Sequence, residues 1–290
     1  MDLLHVIVLA IVQGLAELLP VSSSAHVIVV AKLLHEDMST PANALLLVLL
    51  HTGTMFAVLA YFWRRWADEF FSAWSRFYPF AKLVVLASIC SAAVFLPAQA
   101  LVKHVLSRGG AAVDIEVLFN KLNWIAPSLA VVGLLIIYAG RHPAQRLPGD
   151  EIAGGTPLRW ADAVVMGVLQ GLAIPFRGFS RSGATISGGL LTDGRRAEVE
   201  SFSFAMVVAI TPFAILWELR RVVRSAHSTG AAHWATWLEP GLVGMVFSFL
   251  AGLLALRWLS RWLEGGRWSW FGVYCLGFAG VAGALYWRGW

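Results

Sequence analysis

Six stretches of this chain are too apolar to be at home in water. They fall at roughly 42–63, 80–99, 124–140, 201–219, 240–258 and 268–287. Each approaches the roughly 20 apolar residues that a helix needs to cross a bilayer. Backbone N–H and C=O groups in hydrocarbon must be satisfied internally, so these segments are predicted to be transmembrane helices. Composition agrees. Hydrophobic residues make up 58% of the chain and charged residues 13%, about half the charged share of an ordinary soluble domain. The predicted fold is an all-α integral membrane protein, with residues 1–290 forming a single membrane domain.

The formal net charge of +5 does not indicate nucleic-acid binding, because the arginines are scattered over short interhelical loops and form no stripe. In a membrane protein they set orientation. With both chain ends outside, twelve Lys and Arg fall on inner loops and eight on the outer side, which favours that orientation. Trp63, Trp66, Trp217, Trp237 and Trp290 lie near span ends and are expected to act as interfacial anchors. Residues 64–78 mix Arg, Asp, Glu and aromatics and read as an interfacial helix. Cys90 and Cys275 lie alone in apolar stretches and are expected to be buried small hydrophobes. Asp2 and the lack of a basic leader argue against a cleavable signal peptide.

Two further apolar segments break in the middle. Residues 3–34 are interrupted at Leu19-Pro20-Val21-Ser22-Ser23-Ser24, and residues 161–191 across Pro175 to Gly183. Each arm is too short for a bilayer of about 30 Å at 1.5 Å per residue. Irregular backbone at membrane depth survives only inside protein or against a wet cavity. Two re-entrant helix–loop–helix hairpins are the economical prediction. The two segments resemble one another: Gln13-Gly14-Leu15-Ala16 recurs as Gln170-Gly171-Leu172-Ala173, an offset of 170 − 13 = 157. Ser22-Ser23-Ser24-Ala25 matches Ser180-Arg181-Ser182-Gly183 with one extra residue in the second copy. Three predicted spans follow each hairpin, so the second copy (about 158–290) should be inverted relative to the first (about 1–140). Transporters use the same architecture.

The breaks carry the chemistry. Ionisable residues inside hydrophobic segments point to function, and Glu17, His26, Arg177 and Arg181 concentrate here. An ion pair between Glu17 and Arg181 would explain those charges but not the surrounding serines and glycines. A helix N-terminus offers free N–H groups and a positive dipole to an anion. Ser22, Ser23, Ser180 and Ser182 can add hydroxyl donors, Arg181 can grip a phosphate in bidentate fashion, and Gly178 and Gly183 allow close approach. Two such half-sites facing each other would make one phosphate pocket. His26 lies three residues after Ser23 and can share its helix face, so a hydroxyl nucleophile with an imidazole base is one reading. Glu17, four residues after Gln13, could orient His26, move a proton or bind a divalent cation. His51 reads as a packing or hydrogen-bonding residue, while Asp162 and Glu218 read as solvated groups near segment ends.

Taken together, the two motifs resemble those of the undecaprenyl-diphosphate phosphatase family, known also for bacitracin resistance. Gln13 through His26 is similar to its (Glu/Gln)-Gly-x-x-Glu-x-x-Pro-(Val/Ile)-Ser-Ser-x-x-His. Gly178 through Ser187 is similar to its Pro-Gly-x-Ser-Arg-Ser-Gly-x-Thr-Ile-Ser, and Ser201-Phe202-Ser203-Phe204 to the span that follows. The resemblance implies a multi-pass enzyme of the bacterial inner membrane, its active site facing the periplasm. It would remove one phosphate from undecaprenyl diphosphate and so recycle the lipid carrier of peptidoglycan synthesis. It implies catalytic roles for Glu17, Ser23, His26 and Arg181. Phosphate binding would fall to Gln13, Ser22, Ser180, Arg181, Ser182, Gly183 and Thr185. It also implies a divalent cation, Mg²⁺ or Ca²⁺, with Glu17 as the candidate ligand. Gln13 departs from the Glu of many members and weakens a two-carboxylate metal site. Arg177 is an added charge that would meet either phosphate or water. The expected partners are the bilayer and a long-chain prenyl diphosphate, with a homodimer allowed and no nucleic acid. Two rivals stand beside the enzyme: a prenyl-phosphate flippase using the same repeats, and a non-catalytic lipid-binding protein.

Overall fold

Apolar runs bounded by Pro, Ser and charged residues fold into helices, and the described residues contain helices and no strand. The computed structural model describes residues 1–38, 40–107, 122–142, 158–228 and 235–289. Arg108, Lys121, Arg146 and Trp290, and the side chains of Lys103, Arg221 and Trp237, lie outside that description. The helices are α1 (Leu3–Leu18), α2 (Ser23–Leu33), α3 (Pro41–Trp66), α4 (Trp74–Ser107), α5 (Leu122–Arg141), α6 (Trp160–Ala173), α7 (Arg181–Leu191), α8 (Arg196–Ser228), α9 (Ala235–Glu264) and α10 (Trp268–Trp287). Among the described residues six are long and apolar enough to cross a membrane, and they overlap the six expected stretches. The arms α1, α2, α6 and α7 have 16, 11, 14 and 11 residues. At 1.5 Å per residue, each falls short of a hydrocarbon layer of about 30 Å.

Contacts gather the chain into two compact units that do not follow the sequence halves. One comprises Met1–Leu19, Ser23–Tyr61 and Val207–Leu259; the other comprises Pro20–Ser22, Phe62–Met206 and Ser260–Trp290. In the first unit, Val6, Leu9 and Ala10 of α1 bury against Val27 and Ala31 of α2 and Leu46 and Leu50 of α3. The missing side chain of Gly14 lets α1 press onto α9, where a Cβ would lie 2.5 Å from the Ser248 carbonyl oxygen and 2.7 Å from Ala251. Ser248 is fully buried and donates to the Leu50 carbonyl at 2.9 Å.

In the second unit, α5 packs on α10, α6 on α4, and α7 on both α5 and α6. A Cβ on Gly171 would lie 2.5 Å from the Ser91 carbonyl and 2.9 Å from Val94 of α4. The offset between the repeated motifs therefore reappears in their neighbours. Gly171 − Gly14, Ser248 − Ser91 and Ala251 − Val94 are each 157 residues. Each motif glycine packs on the span belonging to the other half of the sequence.

Three expectations need correction. Residues 64–78 do not form a separate interfacial helix; they are the end of α3, a π-helical turn at Ala67–Phe71 and the start of α4. Burial drives this, since Phe70 stacks on Phe80 with ring centres 3.8 Å apart. Trp66 is no interfacial anchor: it is 4% exposed, and its indole N–H donates to Ser201 Oγ at 2.9 Å. Trp63 and Trp217 do stand out from the surface, at 57% and 74% exposed. Asp162 is fully buried rather than solvated, because its carboxylate caps α6 by accepting the Arg159 N–H at 2.7 Å. Cys275 is buried as expected and Cys90 half-buried, both as free thiols.

Candidate active site

The Glu17 carboxylate organises the first motif. Gln13 and Glu17 lie one turn apart on α1 and so project from the same face. The buried Gln13 amide donates to Glu17 Oε2 at 3.1 Å. The chain turns at Leu19–Ser22 and restarts as α2, which brings the Ser23 hydroxyl back to Glu17 Oε2 at 2.5 Å. That is the short range of a hydroxyl on a carboxylate. Ser22, just before the helix, holds φ at +69°, a left-handed conformation uncommon outside glycine. In the second unit the Pro20 carbonyl of the same turn accepts the Cys275 thiol at 3.3 Å.

Gln13, Glu17 and Ser23 thus come together in the first unit. His26 sits half-buried on α2, one turn beyond Ser23. The sequence reading set the His26 imidazole beside the Ser23 hydroxyl and left Glu17 to orient His26, move a proton or bind a cation. In the structure the carboxylate itself holds the hydroxyl.

His51 also joins this group, although its sequence context suggested only packing or hydrogen bonding. Its Nδ1 lies 2.8 Å from the Leu47 carbonyl, and its Nε2 lies 3.6 Å from Glu17 Oε2. A carbonyl only accepts, so Nδ1 carries the proton and Nε2 is the ring atom offered to Glu17. The one available signal was an imidazole in the middle of a span.

The second motif builds a helix start in the second unit. Ser180 is the N-cap of α7 and accepts the Gly183 N–H at 3.2 Å, with Ser182 Oγ at 3.4 Å from its own hydroxyl. Arg181 is the first residue of the helix and is half-buried. The Thr185 hydroxyl donates to the Arg181 carbonyl at 2.9 Å and lies 2.6 Å from Ser203 Oγ of α8. Ser180, Ser182 and Thr185 are all buried, so these hydroxyls fix the shape of the helix start. Ser203 was quoted in the motif but not singled out as a partner.

Gly178 has φ +93°, and a Cβ there would lie 2.6 Å from the Ile125 carbonyl. A Cβ on Gly183 would lie 2.8 Å from Ile136 Cδ1. The close approach that these glycines permit is thus at least partly to α5. Arg177 is exposed. The arrangement offers an anion the N-terminal end of α7, reinforced by a guanidinium.

The donor set of the first motif also bears on a metal. Among the described residues no group of three or more His, Cys, Asp or Glu is gathered. Glu17 is the one carboxylate of the first motif, and the Gln13 amide and Ser23 hydroxyl both donate to it, so a Mg²⁺ held there would draw most of its shell from substrate phosphates and water.

The chain is similar to known proteins over nearly its whole length. The family model described as bacitracin resistance protein BacA matches residues 6–281. An undecaprenyl-diphosphatase 2 of Acinetobacter baylyi is 50% identical over 284 residues, 97% of both chains. An undecaprenyl-diphosphatase of Korarchaeum cryptofilum is 34% identical over 97% of this chain and 98% of its own. Another, from Rhodopirellula baltica, is 30% identical over 95% of both.

Proposed function

The chain belongs to the bacitracin resistance protein BacA family, and from that premise we propose that it hydrolyses undecaprenyl diphosphate to undecaprenyl phosphate and inorganic phosphate. The observation that carries the chemistry is the 2.5 Å bond from Ser23 Oγ to Glu17 Oε2. A serine hydroxyl is a weak nucleophile until a base takes its proton, and Glu17 already accepts that hydrogen.

Ser23 Oγ attacks the terminal phosphorus as its proton passes to Glu17. The bond from that phosphorus to the bridging oxygen breaks, and protonated His26 gives a proton to the departing lipid phosphate. Water then attacks the phosphoserine and loses a proton to His26. The proton on Glu17 returns to Ser23, which restores the starting state and releases phosphate. The role of neutralising phosphate charge as it develops goes to Arg181 on the strength of the motif resemblance. Gln13 holds the Glu17 carboxylate in place. A divalent cation, when bound, would neutralise diphosphate charge, and Glu17 is the candidate ligand for it only before it takes the Ser23 proton.

The short arms read as re-entrant hairpins in an inverted repeat, embedded in the bacterial inner membrane with the reaction on the periplasmic side. A prenyl tail belongs in lipid and its diphosphate in a polar site, and a membrane-embedded phosphate site serves both. Carrier recycling and bacitracin resistance follow from that reaction. Purified protein in detergent should release phosphate from a long-chain prenyl diphosphate, and chelator should suppress the release. A pure flippase would release none under either condition.

A further inference from the structure

The helix α10 lies outside both motifs, yet one of its faces holds both. Trp268 and Cys275 are two helical turns apart and so share a face, about 10 Å from one to the other along the axis. Both are buried. The Trp268 indole N–H donates to the hydroxyl of Ser187, the last residue of the second motif, at 3.1 Å. The Cys275 thiol donates to the carbonyl of Pro20, inside the first motif, at 3.3 Å. Between them, Gly272 lets α10 close on α5, where a Cβ would lie 2.4 Å from the Gly133 carbonyl. Gly178 and Gly183 of the second motif rest on that same α5.

The turn of the first motif needs such a hold. Ser22 keeps a φ of +69°, which a residue other than glycine holds only when its surroundings fix it. Pro20 is buried, so its carbonyl needs a partner within the protein. A thiol is a weak donor, but a buried acceptor deprived of its partner costs more than the bond itself contributes. We infer that Cys275 and Trp268 are positioning residues: through them α10 sets the turn that carries Ser22 against the start of α7 that carries Arg181. This rests on the phosphatase reading and deepens it, since Ser22 and Arg181 grip one diphosphate only in register. A displacement of about 1 Å can cost about 10²-fold in rate.

The test is steady-state hydrolysis of a prenyl diphosphate by purified full-length protein in detergent, with thermal unfolding of each variant. Cys275→Ala should lower kcat about tenfold, leave KM within about twofold and unfold near the wild-type temperature. Cys275→Ser keeps a donor and should restore most of kcat. Trp268→Phe keeps a ring without the N–H and should lower kcat as well. Wild-type kcat in Cys275→Ala or Trp268→Phe would overturn the assignment. So would equal losses in Cys275→Ala and Cys275→Ser, which would mark packing rather than the bond. Should Cys275→Ala fail to fold, infrared spectroscopy decides. Cys90→Ala leaves Cys275 as the one thiol. Its S–H stretch should shift on saturation with a methylene-bridged prenyl bisphosphonate, which cannot be hydrolysed, and an unmoved stretch refutes the positioning role. Wild-type turnover with unaffected variants sinks only the positioning. A shifted stretch in a protein that releases no phosphate sinks the phosphatase reading.

Discussion

At Ser23 one hydroxyl and one carboxylate set the chemistry, and their removal should be felt separately. Ser23→Ala should abolish the phosphoserine that labelled substrate otherwise traps. Glu17→Gln keeps the shape but not the base and should lower kcat by about 10²–10⁴-fold. Labelling of Ser23→Ala at the wild-type level would assign the nucleophile elsewhere. Arg181→Ala should cost about 3 kcal/mol in kcat/KM, the scale of one lost electrostatic donor; near-normal turnover would remove Arg181 from the mechanism. Glu17, Ser23 and Arg181 stand out in the sequence because a charge or hydroxyl is costly in an apolar segment, and the structure joins the first two. His51 does not, because its role depends on packing α3 beside α1, 51 − 17 = 34 residues away in sequence. The hydroxyls of Ser180 and Thr185 were legible as polar but not in direction: they cap α7 and tie it to α8. Nor did the local pattern reveal that Asp162 would be spent as a helix cap.

Between elements, the glycines of the repeated motif are contact points rather than hinges. Gly14 sits on Ser248 and Ala251, and Gly171 on Ser91 and Val94, with no room for a side chain at either. Gly14→Val should therefore push α1 from α9, lowering stability by about 1–3 kcal/mol as an overpacked core does. It should also cut turnover, because Gln13 and Glu17 ride on the displaced helix. Gly171→Val should destabilise to a similar degree, which thermal unfolding in detergent would read. A Gly14→Val protein with wild-type stability and activity would show that α1 yields without consequence. The spans and breaks were visible in advance because hydrophobic length and the helix-interrupting segments are local properties. The exchange of partners was not. Each motif glycine packs on a span from the opposite half, and a pattern read along one strand of sequence says nothing of which span will be the neighbour.

At the scale of the whole chain, the span count turns the charge bias into a topology that can be measured. The six helices long and apolar enough to cross among the described residues are an even number, which puts both chain ends on one side, provided that the four short arms re-enter and do not cross in total an odd number of times. The charge bias, 12 against 8 for Lys and Arg, sets that side outside. Three of the counted residues, Arg108, Lys121 and Arg146, lie beyond the described segments, so the bias stands on sequence while the span count stands on structure. Cysteines placed singly in a Cys90→Ala and Cys275→Ala background separate the two. Asp2→Cys and Gly289→Cys should react with an impermeant maleimide in intact spheroplasts. Asp68→Cys, after the first span, and Gly265→Cys, between α9 and α10, should react only after permeabilisation. Full reversal would leave the six spans intact but place the charge rule in error. Labelling of one end but not the other would refute the hairpins as pairs of half-crossings, because a single short arm would then have to traverse the bilayer.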